Sequence, residues 1–366
     1  MEIEIMQENL AKALQNVSRI ASSKASLPIL GNVLMRSENN QLRLIGTNLE
    51  MAISESVSAK ILSPGSITIP ARLFSDFIQN LPKEKITLSV KNTILTITSK
   101  TNTSKINGVS DEEFPEIPQI LDDQSTELTI KTDVFKEFVA QTIIAASNDP
   151  TRQALTGVYL HTEASKLFAA ATDGYRLAEK ELPITLETDI KTIIPVSTLQ
   201  EVVRSLSDEM KEISLTIDET QIKFAAEGIE IISKLIDGNF PDYRQLLPGK
   251  QDTTLVVSKT ELGRVIKLSR LFSKETNGGI VLEVNDSILT VKSIASEVGE
   301  NTSNIPVQHE GADGSISLNS RYMSDVLGVL ELDDIEIGFS GKLSAIQLSS
   351  PGNKKDYRHI IMPIKS

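Results

Sequence analysis

The feature that most restricts what this chain can fold into is a repeat of about 125 residues. Pro70, Pro195 and Asn319 each open a stretch of helical periodicity, and they lie 125 and 124 residues apart. Leu10, Phe135 and Leu262 sit in an earlier helical stretch of each round, at separations of 125 and 127. Phe114-Pro115 returns 126 residues later as Phe240-Pro241. Three units with one order of elements (strand, helix, strands, helix, strands) predict a structural repeat, although literal identity between the units is low.

The local signals inside each unit are consistent. Alternating Glu and Ile over Met1–Met6 predict a half-buried strand. Leu10, Leu14, Val17 and Ile20 then carry the spacing of an amphipathic helix, which Pro28 limits. Strands are expected at 33–35, 41–45, 51–57, 85–90 and 93–99, and a helix that Pro70 opens at its first turn. The second round predicts strands at 127–130, 158–161, 167–171, 176–180, 212–217, 221–226 and 229–234, with helices over 132–146 and after Pro195. The third predicts a helix over 259–272, another capped by Asn319, and strands at 254–257, 280–284, 287–291, 334–339 and 345–348. Two helices and a strand-rich remainder per unit make the class α+β with antiparallel sheets. The expected domains are 1–124, 125–251 and 252–366.

A chain of 366 residues exceeds one ordinary core. Its net charge of −12 means that any contact with nucleic acid is local. The absence of Cys excludes a thiolate nucleophile, a Cys-based zinc site and disulfides, and is compatible with a cytoplasmic location. The N-terminus has no signal-peptide pattern, and no apolar run is long enough to span a membrane. Positive charge gathers on helices: Arg264, Lys267, Arg270 and Lys274 share one face, the first helix carries Lys12 and Arg19 with Lys24 just after it, and the second helices contribute Arg72, Arg204 and Arg321. Side by side, such helices offer a phosphate-binding surface with no base-reading motif. His161, His309 and His359 lack metal-ligand spacing, and no nucleophile elbow, phosphate loop or dinucleotide fingerprint is present. The expectation is a protein with no catalysis, cofactor or metal of its own.

In the middle unit, Phe168–Ala178 reads as a strand, a Thr172-Asp173-Gly174 turn and a second strand from Tyr175. This hairpin belongs to a wider likeness. Leu27–Asn32 (LPILGN), Gly46–Met51 (GTNLEM), Ile69–Arg72 (IPAR), Ala171–Ala178 (ATDGYRLA), Ser233–Arg244 (SKLIDGNFPDYR) and Ile361–Ile364 (IMPI) resemble the bacterial DNA polymerase III β subunits, the replicative sliding clamps. The resemblance spans the whole chain. It implies a head-to-tail homodimeric ring of six similar domains, twelve helices lining a hole for double-stranded DNA, and placement on the DNA by a clamp loader. It also implies a pocket for peptides of the replicative polymerase and other clamp-binding proteins. That pocket would comprise Leu155, Thr172, Gly174, Tyr175, Arg176, Leu177, Pro241, Leu246, Leu343, Ile360, Met362 and Pro363, with Arg176 orienting a peptide carbonyl or carboxylate. Lys24, Arg72 and Arg152 would contact DNA, with Arg264, Lys267 and Arg270 as a diffuse field. The dimer contact would use Leu271 and Phe272 against Ile106, and Lys100 and Lys105 against Glu297 and Glu300. Two rival readings predict other behaviour: a repeat-built, sequence-specific DNA-binding regulator, and a hydrolase using Asp173 and Asp242.

Overall fold

The structure is a computed structural model that describes residues 1–21, 27–38, 40–120, 125–273, 278–295 and 299–364. Lys24, Lys274 and Glu297 lie outside the described residues. Six α-helices occur among the described residues: α1 (Gln7–Ile20), α2 (Ala71–Gln79), α3 (Thr132–Ile143), α4 (Val196–Ser205), α5 (Lys259–Phe272) and α6 (Ser320–Val329). The 259–272 helix has the expected ends. The helix expected over 132–146 stops at Ile143, and tight turns close the amides of Ala145 and Ala146 onto the carbonyls of Thr142 and Ile143. Pro70 and Pro195 end strands, and their helices begin one residue later.

The chain divides into two compact units, residues 1–135 with 197–235, and 136–196 with 236–366. The first unit holds a five-stranded sheet, in the spatial order Lys60–Ser63, Glu2–Met6, Lys85–Lys91, Ile94–Thr98 and Thr103–Asn107. Its second sheet has eight strands, because Ile229–Lys234 pairs antiparallel with Met51–Ser58 and so joins a four-stranded set from the middle repeat to one from the first. α1 and α2 pack side by side, and Leu10, Leu14, Val17 and Ile20 of α1 are buried as their spacing predicted. Arg19 of α1 pairs with Glu201 of α4 at 2.5 Å, so it is structural as well as basic. Phe135 of α3 meets Phe224 edge to face at 5.8 Å.

The second unit repeats this plan. A nine-stranded sheet is joined where Arg176–Thr185 pairs antiparallel with Asn353–Ile361, and a four-stranded sheet runs from Gly299–Pro306 to Gly314–Asn319. α5 packs against α6, whose first turn is capped by the Asn319 carboxamide accepting from the Arg321 amide.

The two joined sheets share one detail. At Thr47–Met51 and at Thr172–Arg176 the same hydrogen bonds recur. The Thr hydroxyl donates to the carbonyl four residues on, at 3.0 and 2.6 Å. The Asn48 or Asp173 side chain accepts from the amides two and three residues on. The Glu50 carbonyl accepts from the Lys234 amide, as the Tyr175 carbonyl accepts from the Met362 amide. Even the left-handed residue recurs, at Leu49 (φ +75°) and Gly174 (φ +91°). The repeat therefore extends to individual bonds that low sequence identity conceals.

The sequence reading omits several strands. Gly65–Pro70, Lys191–Pro195 and Gly314–Asn319 each precede the second helix of a repeat. Thr103–Asn107 and Gly299–Pro306 form free sheet edges among the described residues, and their polar composition hides the usual alternation.

Candidate functional site

The site is built on the hairpin of the second unit. Its loop is shifted by one residue from the expected position: Thr172 pairs with Leu177, the Asp173 amide bonds the Arg176 carbonyl, and Gly174-Tyr175 form the two-residue turn. The strand Arg176–Thr185 accordingly begins after Tyr175. Gly174 supplies the positive φ, and a Cβ there would lie 3.1 Å from Arg152 Nη1. Asp173 uses one carboxylate oxygen to hold the turn amides, and the Met362 amide ties the C-terminal segment to the Tyr175 carbonyl at 2.8 Å.

Behind the hairpin lies an apolar floor of Ala170, Leu177, Tyr243 and Ile360, with Tyr159, Phe240, Leu247 and Ala345 packed against it. Exposed apolar side chains adjoin it along the chain: Leu246 (61% accessible) precedes Leu247, Leu343 (74%) lies two residues before Ala345, and Tyr175 (63%) and Met362 (44%) share a backbone hydrogen bond. Soluble surfaces seldom hold such side chains in one neighbourhood without a partner. Leu155 and Pro363 are half-buried, Pro241 is exposed, and Thr172 is buried because its hydroxyl is spent inside the turn. The anticipated pocket residues thus separate into floor, turn and rim. Tyr243, Tyr159, Phe240 and Ala170 were missed as floor residues. For Tyr243 and Phe240 the signal was the FPDYR run itself, aromatic at both ends of a short Pro-containing turn.

The floor rests on an aromatic stack. Phe240 stacks on Tyr159 at 4.9 Å, Tyr159 on His161 at 4.7 Å and His161 on Phe168 at 5.6 Å, and the Arg244 guanidinium lies 4.4 Å from the Phe168 ring centre. Tyr243 donates its hydroxyl proton to the buried Glu179 and accepts from His161 Nε2, at 2.8 Å. Burial first, and then Glu179, push the Tyr243 phenol up, so it stays protonated. Burial and the nearby Arg244 lower the His161 imidazole. Arg358 completes the network by pairing with Glu179 across the seam, where the two residues are register partners.

Arg176 departs from expectation. It is 8% exposed, its Nε donates to Asp173 at 3.1 Å and its Nη1 to Asp325 at 2.7 Å, and its plane lies 4.4 Å from the Tyr322 ring centre. Two of the five N–H groups of the guanidinium expected to orient a peptide carbonyl or carboxylate are bonded to internal acids. Asp325 carries no sequence signal for this task, being 149 residues away.

His359 lies next to the floor residue Ile360 and is fully buried. Its Nδ1 donates to the Tyr357 hydroxyl, which donates to the Gln141 carbonyl. Burial, reinforced by the Arg176 charge, pushes its pKa down to about 3. An unfolded chain protonates this ring near pH 6.5 and the folded chain does not. The stability contributed by neutral His359 is therefore complete above that pH and is lost as pH falls toward the folded value. The expected loss is about 2 kcal/mol between pH 7 and pH 5, at up to ~1.4 kcal/mol per unit. Urea denaturation of wild type and His359→Gln at both pH values checks this. Equal losses in the two proteins would refute the assignment.

The cations form a second set. Arg72, Arg264 and Lys267 are exposed and pair with no acid among the described residues. Arg152 lies 3.6 Å from Asp149, and Arg270 bonds the Ser324 hydroxyl at 3.1 Å. Lys105 and Glu300 on the edge strands are exposed, as are Lys100 before the strand Thr103–Asn107 and Leu271 at the end of α5, where Phe272 is half-buried. Ile106 is turned into its own core and offers little apolar surface to a partner. The described residues contain no cluster of three His, Asp or Glu suited to a metal, and no helix among them is long and apolar enough to cross a membrane.

Three similar α+β repeats joined by continuous antiparallel sheets, with exposed cations on the helices, define a three-domain DNA clamp. Domain profiles of the DNA polymerase III beta subunit match residues 1–118 (N-terminal domain), 129–242 (central domain) and 244–365 (C-terminal domain). A beta sliding clamp of Bacillus subtilis is 29% identical over 381 residues, with both chains covered in full. The crystal structure of the Bacillus subtilis sliding clamp superposes with a TM-score of 0.95 at 29% identity, over 100% of this chain and 99% of that one. The Pseudomonas aeruginosa DNA polymerase III subunit beta gives 0.94 at 27% identity over the whole of both chains. This chain belongs to the DNA polymerase III beta subunit family, the sliding clamps that serve as processivity factors in DNA replication.

Proposed function

We propose that two copies of the chain close into a ring around double-stranded DNA, and that the hairpin site tethers the replicative polymerase and other clamp-binding proteins to it. The observation that carries the peptide-site assignment is the apolar floor and exposed rim at the seam Arg176–Thr185/Asn353–Ile361, a surface without a partner in the isolated chain. The family match over all three repeats supports the ring, as do the free sheet edges at Thr103–Asn107 and Gly299–Pro306. The domains are 1–124, 125–251 and 252–366. Arg72, Arg152, Arg264, Lys267, Arg270 and Lys24 meet phosphates, which gives binding without sequence preference and permits sliding. Leu271, Phe272, Lys100, Lys105, Glu297 and Glu300 meet across the ring junctions. The protein is a non-catalytic, cytoplasmic accessory subunit, placed on DNA by a clamp loader. Tethering acts through effective concentration: a weak peptide contact becomes a durable one once both proteins share a DNA molecule.

The test is retention on DNA. Loaded onto a nicked circle, the protein stays bound, and it is lost within minutes of linearisation. Retention that is indifferent to the ends, or that follows a particular sequence, favours a DNA-binding regulator and overturns the ring.

A further inference from the structure

We propose that the first seam, where Met51–Ser58 pairs with Ile229–Lys234, carries a second docking site, fitted to a short apolar peptide segment flanked by Lys or Arg. The inference goes beyond the hairpin site and rests on the reading of that site as a peptide pocket.

The two places correspond residue by residue. Leu34, Ile45 and Phe114 form one buried cluster, with Ile29 and Ile117 packed against it. Leu34 and Ile45 lie 125 residues before Tyr159 and Ala170 of the hairpin floor, and Phe114 and Ile117 lie 126 before Phe240 and Tyr243. The strand pairings agree as well. Leu34 faces Ile45 as Tyr159 faces Ala170, and Ala52 faces Ile232 across the seam as Leu177 faces Ile360. The turn that follows Ile45, Thr47–Met51, has the bonds of Thr172–Arg176. Leu49 stands in place of Gly174. Its φ of +75° strains a leucine and is open to a glycine, yet the leucine side chain is 45% exposed. Leu27, two residues before Ile29, is 47% exposed. A strained leucine held in solvent, with another exposed leucine adjoining the same floor, marks a surface that a partner uses.

The charges select the partner. Met51 stands in place of Arg176. Arg36, Arg43 and Lys234 on these strands are held by Asp111, Glu230 and Glu50 at 3.4, 2.8 and 3.3 Å. Lys223, the register partner of Ile232, pairs with no acid among the described residues. Against it stand the exposed Glu112, Glu113 and Glu116, which flank Phe114 and Ile117 and pair with no cation among the described residues. The surplus is therefore acidic. Apolar side chains gain on the floor, and a Lys or Arg at either end of the segment gains at the rim.

The experiment uses the full-length protein and two labelled probes, the peptide Lys-Leu-Phe-Leu-Lys and a twin with Glu for each Lys, read by fluorescence anisotropy. The Lys-flanked probe binds wild type saturably, and no saturation below about 1 mM refutes the site. Leu27→Ser with Leu49→Gly weakens it about 20-fold. Both side chains are exposed and glycine relieves the turn, so the fold is kept, which a thermal melt verifies. Glu112→Gln, Glu113→Gln and Glu116→Gln together weaken the probe about tenfold at about 0.05 M salt, and the Glu-flanked twin binds wild type at least about tenfold more weakly. Equal binding of the two probes overturns the basic partner. Changing Leu246, Leu343 and Met362 to Ser separates the two sites, because it leaves the Lys-flanked probe bound and removes a polymerase peptide. The opposite pattern, with the probe lost there and kept in the Leu27 and Leu49 variant, puts the probe on the hairpin site and overturns the second one. A polymerase peptide that fails to bind wild type overturns the proposed function instead, and the Leu27 and Leu49 variant still decides the first seam.

Discussion

Changing Leu246, Leu343 and Met362 together to Ser leaves the fold intact and weakens binding of a polymerase peptide by about 100-fold. All three side chains are substantially exposed in the isolated chain, so the folded state loses little when they are shortened. On binding, each would bury an apolar side chain worth roughly 1–2 kcal/mol, and a combined loss of ~3 kcal/mol is about two orders of magnitude in affinity. Fluorescence anisotropy with a labelled peptide reads the affinity, and a thermal melt verifies the fold. An affinity within about threefold of wild type, with an unchanged melt, would remove these residues from the site. Leu177→Ala is a poorer probe of the same idea. Leu177 is 3% exposed and part of the floor, so the change opens a cavity costing ~2–5 kcal/mol and confounds folding with binding.

Glu179→Ala destabilises the second unit by ~3–5 kcal/mol. Glu179 is 1% exposed and accepts from Arg358 and from the Tyr243 hydroxyl, with Arg244 Nη2 at 3.4 Å. Its removal takes the acceptor from Arg358 and from the buried Tyr243 phenol, while Arg244 keeps Glu163 at 2.7 Å. The position also matters, since Glu179 and Arg358 face each other across the seam that carries Leu177 and Ile360. Peptide binding should therefore weaken together with the unfolding midpoint. Urea denaturation measures the cost. A loss below about 1 kcal/mol would show that the network is solvated and contributes no more than a surface pair.

Much of the scaffold was legible because its signals are local. Helical spacing located α1 and α5, Pro70 and Pro195 marked where helices begin, and the Asn319 cap is made by the residue that the sequence nominates. The repeat was visible from punctuation alone. What failed was also local in origin: Gly299–Pro306 and Thr103–Asn107 are edge strands with few apolar residues, so they show little alternation to detect. Of the residues that the likeness to the family proposes for a pocket, Leu177 and Ile360 share one buried cluster.

Arg176 shows where that limit lies. Its identity and its place beside a Gly turn were plain in the sequence, and they suggested a cation facing a ligand. Whether a buried guanidinium faces a ligand or an internal acid depends on which carboxylate lies within about 3 Å, and the deciding one comes from α6. The seams have the same origin. Ile229–Lys234 finds Met51–Ser58, and Asn353–Ile361 finds Arg176–Thr185, across separations that carry no periodic signal. By itself the sequence determined the class, the threefold repeat and where the helices lie, since backbone propensity and side-chain spacing act over a few residues. Only the tertiary structure decided which strands join, which apolar side chains remain uncovered and which charges are already paired, because those outcomes depend on through-space distances between residues far apart in the chain.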